Sequence, residues 1–488
     1  MAPLHGKGWH RPAGHFSRAV AVLAMAAFLA SCAVSPITGE PELMLVSEAD
    51  EISIGREAAP SLNWTYGGRW DDPELNAYLS GIVGRLWQNS ERPGLPMEFA
   101  LQNSSVPNAF ALPGYVAITR GLLAEMESEA QFAAVMGHEV GHVMARHTAK
   151  RITQLTLRQL GLALGGTLLS GSKEKDLILG VGALSSSLLL LKYSRENELE
   201  ADRLGVRYMA ELGYDPGEAI SAHQRLQAAV EGYRERLGVE DEGGSLLGAI
   251  LSTHPRDEVR IEEIQAMIRG LPPGLAGGGA VRRDVFLQKT ARLREANKAY
   301  YPYDKAAKLY GEDRLAEAEA LLKEALAKDG RQPAFHHLYG MIMLKREGYA
   351  GAHEHFNRAL AIDPGYQPSV YGRGLAFYRQ ERYGEALPSF RRSLELFPGH
   401  PGSLFGAGAS HFRLRDYREA VPYLKEFASQ SPSHPQVHGM LGICHEASGD
   451  VPSAVSEYQL QLRVAPDNEM GRHARARLLS LGGAPVPK

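Results

Sequence analysis

Apolar residues fall along this chain in several distinct patterns, each predicting a different element. Residues 19–30 read AVAVLAMAAFLA and follow Lys7, Arg11 and Arg18 with no acidic residue before them. This run is shorter than the ~20 apolar residues a membrane-spanning helix needs, and its order, charge first and grease second, has the polarity of a secretory signal. Residues 108–119 alternate small, apolar and polar side chains around Pro113-Gly114, the pattern of a short hairpin. Residues 131–137, QFAAVMG, carry their apolar positions at helical spacing. Residues 155–191 hold two apolar runs around GSKEKD. The second run, 177–191, is short for a span, so it is expected to pack in the domain or over its site, with contact to membrane or an unfolded apolar client as the other reading.

Downstream the pattern becomes periodic. Pro364, Pro398, Pro432 and Pro466 stand 34 apart, as do Gly340, Gly374, Gly408 and Gly442, and Ala318, Ala352, Ala386, Ala420 and Ala454. Leu322, Phe356, Phe390, Leu424 and Tyr458 keep the same step. A 34-residue helix-turn-helix unit resembles the tetratricopeptide repeat, in which small residues let paired helices approach, aromatic residues fill between them and proline ends the second helix. At least five units fit between about Ala306 and Pro466, with residues 468–481 as a cap. One unit cannot bury its apolar face alone. Stacking gives a superhelix whose concave face suits peptides or partner proteins.

Between the two halves lies LPPGLAGGG, residues 271–279, too poor in side chains and too free in backbone to form an element interior. The chain is therefore divided into a leader (1–31), a domain (32–271), a linker (272–283) and a repeat domain (284–488). With 53 basic against 56 acidic residues, the net charge of −3 makes nucleic acid an implausible main partner. The two cysteines, Cys32 and Cys444, sit in unrelated contexts and imply no disulfide framework.

The candidate chemistry begins where the helical stretch runs into His138-Glu139-Val140-Gly141-His142, an HExxH motif. Positions i and i+4 share a helix face, so both imidazoles reach one Zn²⁺, and Glu139 beside the first can take a proton from water there. Catalytic zinc takes a third protein ligand, and 56 positions beyond His142 the segment SRENELEAD, residues 194–202, offers Glu198 and Asp202, again i and i+4. Glu198 then binds metal while Asp202, a turn along, accepts from a ligating histidine and fixes its tautomer. Glu196 and Glu200 are rival ligands, but only Glu198 pairs with Asp202 at this spacing. His147, five positions after His142, would lie off the ligand face of a continuing helix and reads as surface. His434 and His438, separated by Pro435, and His353 and His355, two apart, lack the geometry of a metal site. No cysteine or serine nucleophile arrangement competes.

With HEVGH and SRENELEAD go Thr253-His254-Pro255, Arg260, and upstream SPITG (35–39) and LMLVS (43–47). Together these resemble peptidase family M48, the HtpX-type metallopeptidases, over nearly the whole chain after residue 31. The resemblance implies an α+β fold: a mostly helical zincin-like domain with a small sheet, followed by an all-α tetratricopeptide solenoid. It implies one zinc held by His138, His142 and Glu198, Glu139 as general base and Asp202 as the supporting carboxylate. It adds His254, similar to a loop histidine that approaches the zinc as an inhibitory ligand or steadies the oxyanion, the remaining reading being a plain surface residue. Zinc peptidases commonly pair an extended substrate with an edge strand, a role expected for Asn108, Ala109, Phe110 and Ala111 unless the hairpin only supports the core. Leu29-Ala30-Ser31-Cys32 resembles the bacterial lipobox, which makes Cys32 the lipidated first residue of the mature chain, and Ala33 after it favours the outer membrane. The implied protein is a lipid-anchored periplasmic zinc endopeptidase for misfolded or stalled envelope proteins, with clients or outer-membrane assembly machinery recruited by the repeats. The alternative is a chaperone or scaffold for outer-membrane protein assembly whose proteolysis is latent.

Overall fold

The computed structural model describes residues 32–164, 193–238 and 258–482. The leader, His254 and most of the apolar stretch 155–191 lie outside the described residues. A two-stranded antiparallel ribbon opens the description, β1 (Cys32–Val34) and β2 (Pro41–Leu43), with Cys32 opposite Leu43. Helices α1 (Glu48–Thr65) and α2 (Pro73–Gln88) follow. Ser47 caps α1 in a reciprocal box with Asp50, and Asp72 caps α2 immediately before Pro73. Both starts thus satisfy N–H groups that a helix end would otherwise orphan.

The sheet consists of β3 (Met97–Gln102), β4 (Ala109–Leu112) and β5 (Gly114–Thr119) in the order β3-β5-β4. β3 runs parallel to β5 and β4 antiparallel to it, with Ala109 opposite Ile118 and Leu112 opposite Tyr115. The hairpin expected over 108–119 is therefore present, with Gly114 at φ 91 in its turn, and β4 stands at the sheet edge. Both faces of β4 are buried: Ala109 and Ala111 join the main core, while Phe110 and Leu112 join a second cluster with Tyr66 and Tyr115.

Helix α3 (Arg120–Leu123) leaves β5 and leads to α4 (Glu129–Met144) and α5 (His147–Leu164), then α6 (Arg195–Glu211), α7 (Glu218–Leu237) and α8 (Glu258–Arg269). α4 is buried almost all round, with Phe132, Met136 and Val140 fully inaccessible. It packs against α2, α6, α7 and β4 as the axis of the domain.

Helix α9 (Arg283–Gly311) belongs to both halves. Its first part binds the domain: Arg294 donates to the Ala124 carbonyl at 2.5 Å, and Asn297 accepts from the buried Arg120. Its last turns pair with α10 (Leu315–Lys328). Four further antiparallel pairs follow: α11 (Pro333–Lys345) with α12 (Tyr349–Ile362), α13 (Gln367–Arg379) with α14 (Tyr383–Leu396), α15 (Pro401–Arg413) with α16 (Tyr417–Gln430), and α17 (Val437–Ala447) with α18 (Val451–Val464). α19 (Glu469–Ser480) closes the stack.

The periodic columns meet inside these pairs. A methyl on Gly340 would stand 2.6 Å from the Phe356 ring, and one on Gly442 would stand 2.5 Å from Tyr458. The glycine column is thus the seat of the aromatic column. The alanine column, Ala318 to Ala454, is fully buried, and each proline falls two residues after the second helix of its pair. The array folds back on the domain: Trp64 of α1 donates its indole N–H to the Leu396 carbonyl at 3.2 Å and meets Tyr366 edge-on at 5.9 Å. No described helix is long and apolar enough to cross a membrane.

Candidate metal centre

The centre is built by two helices whose backbones touch. Ser128 caps α4 by accepting from Gln131 N at 3.1 Å, which starts the helix so that HExxH falls in its last turns. Ser194 caps α6 in the same way through Asn197 N, which puts Glu198 in its first turn and Asp202 one turn on. A Cβ on Gly205 of α6 would lie 2.7 Å from His138 N, and one on Gly141 of α4 would lie 3.1 Å from the Ala201 carbonyl oxygen. Only hydrogen side chains permit so close a crossing, and the crossing brings Glu198 over the two histidines.

His138, His142 and Glu198 each offer a ligand atom, and these atoms all lie within 4.8 Å of one another. The two Nε2 atoms are 3.0 Å apart, Glu198 Oε2 is 3.6 Å from His138 Nε2, and Glu198 Oε1 is 3.5 Å from His142 Nε2. Zinc bonds of ~2.0–2.2 Å in a tetrahedron subtend edges of ~3.3–3.6 Å; the two carboxylate–imidazole separations match these edges and the imidazole pair stands slightly closer, so two imidazoles and a carboxylate are a donor set that fits a zinc ion. The rivals are elsewhere: Glu196 is exposed, and Glu200 is 2.9 Å from His147.

Each histidine is held by its other nitrogen. Asp202 Oδ1 accepts from His138 Nδ1 at 2.8 Å. Burial alone would raise the Asp202 carboxyl, but His138 and Arg260 outweigh it and hold it well below the ordinary carboxylate range. His142 Nδ1 is 2.8 Å from His147 Nδ1, and Glu200 Oε2 is 2.9 Å from His147 Nε2. A carboxylate only accepts, so His147 carries its proton on Nε2 and presents a lone pair at Nδ1 to the N–H of His142. Both rings then turn Nε2 toward Glu198, where a zinc ion would be held.

The surface reading of His147 is corrected by this arrangement: the residue is fully buried. The angular argument assumed a continuing helix, whereas α4 ends at Met144 and Arg146 adopts φ 58 before α5 begins. Arg146 is fixed there by Glu51 at 2.9 Å and the Val46 carbonyl at 2.8 Å, so the chain turns and returns the His147 ring to His142. Burial pulls that imidazole below its ordinary value, against the opposing pull of Glu200.

Two further residues have no signal in the spacing. Arg260, buried on α8, places Nη1 2.9 Å from Glu198 Oε2 and donates Nε and Nη2 to Asp202 at 2.9 and 2.7 Å. Arg260 stands among the residues that carry the family resemblance, but nothing in the sequence assigns it a partner. Tyr193 stacks on the His142 ring at 4.1 Å.

A cleft opens beside the donors, lined by Asn108 and Ala109 of the edge strand, His138 and Glu139, and residues of α6, α7 and α8. Of the expected substrate strand, Asn108 and Ala109 thus reach the cleft, whereas Phe110 points into the second core cluster. Glu139 is buried at the cleft wall.

Comparison with known proteins agrees with this geometry. Residues 71–268 match the model of peptidase family M48, and residues 303–367, 369–401 and 411–478 match tetratricopeptide repeat models. The chain is 34% identical over 198 residues to the mitochondrial metalloendopeptidase OMA1 of Arabidopsis thaliana, covering 40% of this chain and 35% of that protein. It is 31% identical over 211 residues to a putative beta-barrel assembly-enhancing protease of Vibrio cholerae, 42% of this chain and 41% of the relative. With the beta-barrel assembly-enhancing protease of Escherichia coli it shares 28% identity over 284 residues, 55% and 53%. The chain thus spans about a third to a half of the length of these relatives. Together the matched regions and the helix pairs identify this chain as one that carries a peptidase family M48 domain followed by C-terminal tetratricopeptide repeats.

Proposed function

We propose that this chain is a zinc endopeptidase of the bacterial cell envelope, tethered by lipid on Cys32, that hydrolyses misfolded or stalled outer-membrane proteins brought to it by its repeats. The observation that carries the reading is the convergence of His138, His142 and Glu198 within 4.8 Å beside a cleft walled by Glu139 and an edge strand. A zinc ion held by the three would supply Lewis-acid polarisation of the scissile carbonyl and of water. Glu139 accepts the proton of the attacking water and delivers it to the departing amide nitrogen. The edge of β4 offers backbone groups to an extended chain, which gives affinity with little sequence demand. Asp202, His147 and Arg260 hold the donor side chains.

The lipid tether rests on Leu29-Ala30-Ser31-Cys32, and the envelope role on the family resemblance and on the similarity to bacterial beta-barrel assembly-enhancing proteases. Glu139→Gln tests the whole reading: it should retain zinc and lose casein cleavage by at least about 10²-fold. Full rescue of a deletion strain's envelope defects by this variant would favour the scaffold reading instead.

A further inference from the structure

The exposed aliphatic side chains of the first domain gather in one place. Among the described residues up to 271, three large apolar side chains are exposed: Val34 at 65%, Leu45 at 41% and Leu157 at 38%. Val34 lies in β1, Leu45 just beyond β2, and Leu157 on α5, the helix on which this ribbon rests. Strand alternation sends Ala33, Met44 and Val46 onto Ala149 and Ile152 of α5. It leaves Val34, with the exposed Pro41 opposite it, and Leu45 turned to the outside. The Leu45 amide donates to Thr153 Oγ1 at 3.0 Å, and Lys150 holds Glu42 at 3.1 Å. Leu157 follows Thr153 by one turn, and a helical side chain leans back over the turn before it, which brings Leu157 to the turn that holds Leu45.

The tether says what such a patch faces. Val34 stands ~7 Å along an extended strand from Cys32. Leu45 stands the same distance beyond Leu43, the residue opposite Cys32 in the ribbon. Both are therefore within ~12 Å of the acylated residue, which puts them at the depth of the lipid headgroups. Residues 32–55 contain no lysine or arginine, so the contact owes nothing to anionic lipid and is aliphatic in kind.

We infer that Val34, Leu45 and Leu157 form a face that lies in the interfacial zone of the bilayer carrying the tether. The inference rests on the lipid tether of the proposed function and adds an orientation to it. A tether alone leaves the domain free to tumble, whereas three side chains at fixed positions select one pose. α5 carries Leu157 and also His147, the partner of His142, ~15 Å apart along the helix. The pose thus keeps the metal centre within ~20 Å of the headgroups. A client strand needs only about six extended residues clear of the bilayer to span that distance.

The test uses the chain from Cys32 onward with a single myristoyl-length chain coupled to the Cys32 thiol, the other cysteine, Cys444, being buried. The probe is a vesicle of phosphatidylcholine alone. One such acyl chain binds a bilayer marginally and reversibly, so the contribution of the face shows in the partition coefficient read by vesicle sedimentation. Val34→Ser combined with Leu45→Ser should lower that coefficient about tenfold, and Leu157→Ser about threefold. Leu414→Ser and Val451→Ser, at similarly exposed positions of the repeat array, should leave it unchanged. All these positions are exposed, so the unfolding temperatures should match wild type. A double variant that partitions as wild type does, or an equal loss in the array variants, overturns the membrane face while leaving the tether standing. A mass spectrum of the chain purified from cells that shows Cys32 unacylated overturns the tether and this inference with it.

Discussion

Gly205→Ala places a methyl group where α4 and α6 cross. The new Cβ would stand 2.7 Å from His138 N, 3.0 Å from the Gly137 carbonyl carbon and 3.1 Å from His138 Cα. All three are backbone atoms of a buried helix and cannot swing aside. Ordinary non-bonded contacts lie at ~3.5–4.0 Å, so the helices must part by nearly ~1 Å. Glu198 sits about two turns toward the start of α6 and moves with it, whereas a metal ligand tolerates ~0.2 Å. Overpacking of this kind costs about 1–3 kcal/mol, and the gain in helix propensity returns up to about 1 kcal/mol. Zinc affinity should fall at least about tenfold, a loss of about 1.4 kcal/mol, measured by competition with a chromophoric chelator and paired with thermal unfolding of the metal-free chain. Gly81→Ala on α2 is the control, since nothing lies within 4 Å of its Cβ; it should leave zinc affinity alone and stabilise by up to about 1 kcal/mol. Wild-type zinc affinity in Gly205→Ala, with an unchanged or raised unfolding temperature, would refute the claim that backbone contact sets the ligand geometry.

Other consequences follow from the same contacts. His147→Ala removes the group that orients His142 and should weaken zinc binding about 10–100-fold with the helical content intact; Glu200→Gln, which only frees the tautomer of His147, should do less, and equal zinc affinity in both variants would show the relay to be idle. In the array, burial pushes His337 down to about 4, as it does His355, helped there by His336, and His400. Below pH ~6.5 the unfolded chain protonates these histidines while the folded chain does not until about pH 4, so their contribution is full above pH ~6.5 and is lost as the pH falls. At pH 5 the loss is about 1–2 kcal/mol per histidine. Replacing the three with glutamine should flatten the acid side of the stability profile, and a slope equal to wild type would count against their burial as neutral groups.

How far the sequence disclosed this depends on the kind of constraint involved. The repeat pairs were legible because each column has one physical job at one step: Gly340 makes room, Phe356 fills it, and the proline two residues after Ile362 ends the helix. Their inner turns were not legible. Asp313, Glu347, Glu381, Arg415 and Gly449 all take positive φ at the 34-residue step, yet four of the five are ordinary residues, so composition hides a conformation that recurs without fail. In the centre, His138, His142, Glu198 and Asp202 could be placed because each pair lies on one helix and obeys its period. His147 could not, since its position depends on a chain reversal at Arg146 that Glu51 enforces from 95 residues away. Arg260 is likewise invisible to spacing, because it reaches Glu198 and Asp202 from a separate helix.

In the proposed function, His138, His142 and Glu198 hold one zinc that peptide hydrolysis requires. Elemental analysis of the chain produced without residues 1–31, as wild type and as Glu198→Ala, with casein cleavage followed on the same samples, tests it most directly. About one zinc per wild-type chain is expected, with loss of both zinc and cleavage in Glu198→Ala. A wild-type chain without zinc, or a Glu198→Ala chain that keeps its zinc and still cleaves casein, would contradict it.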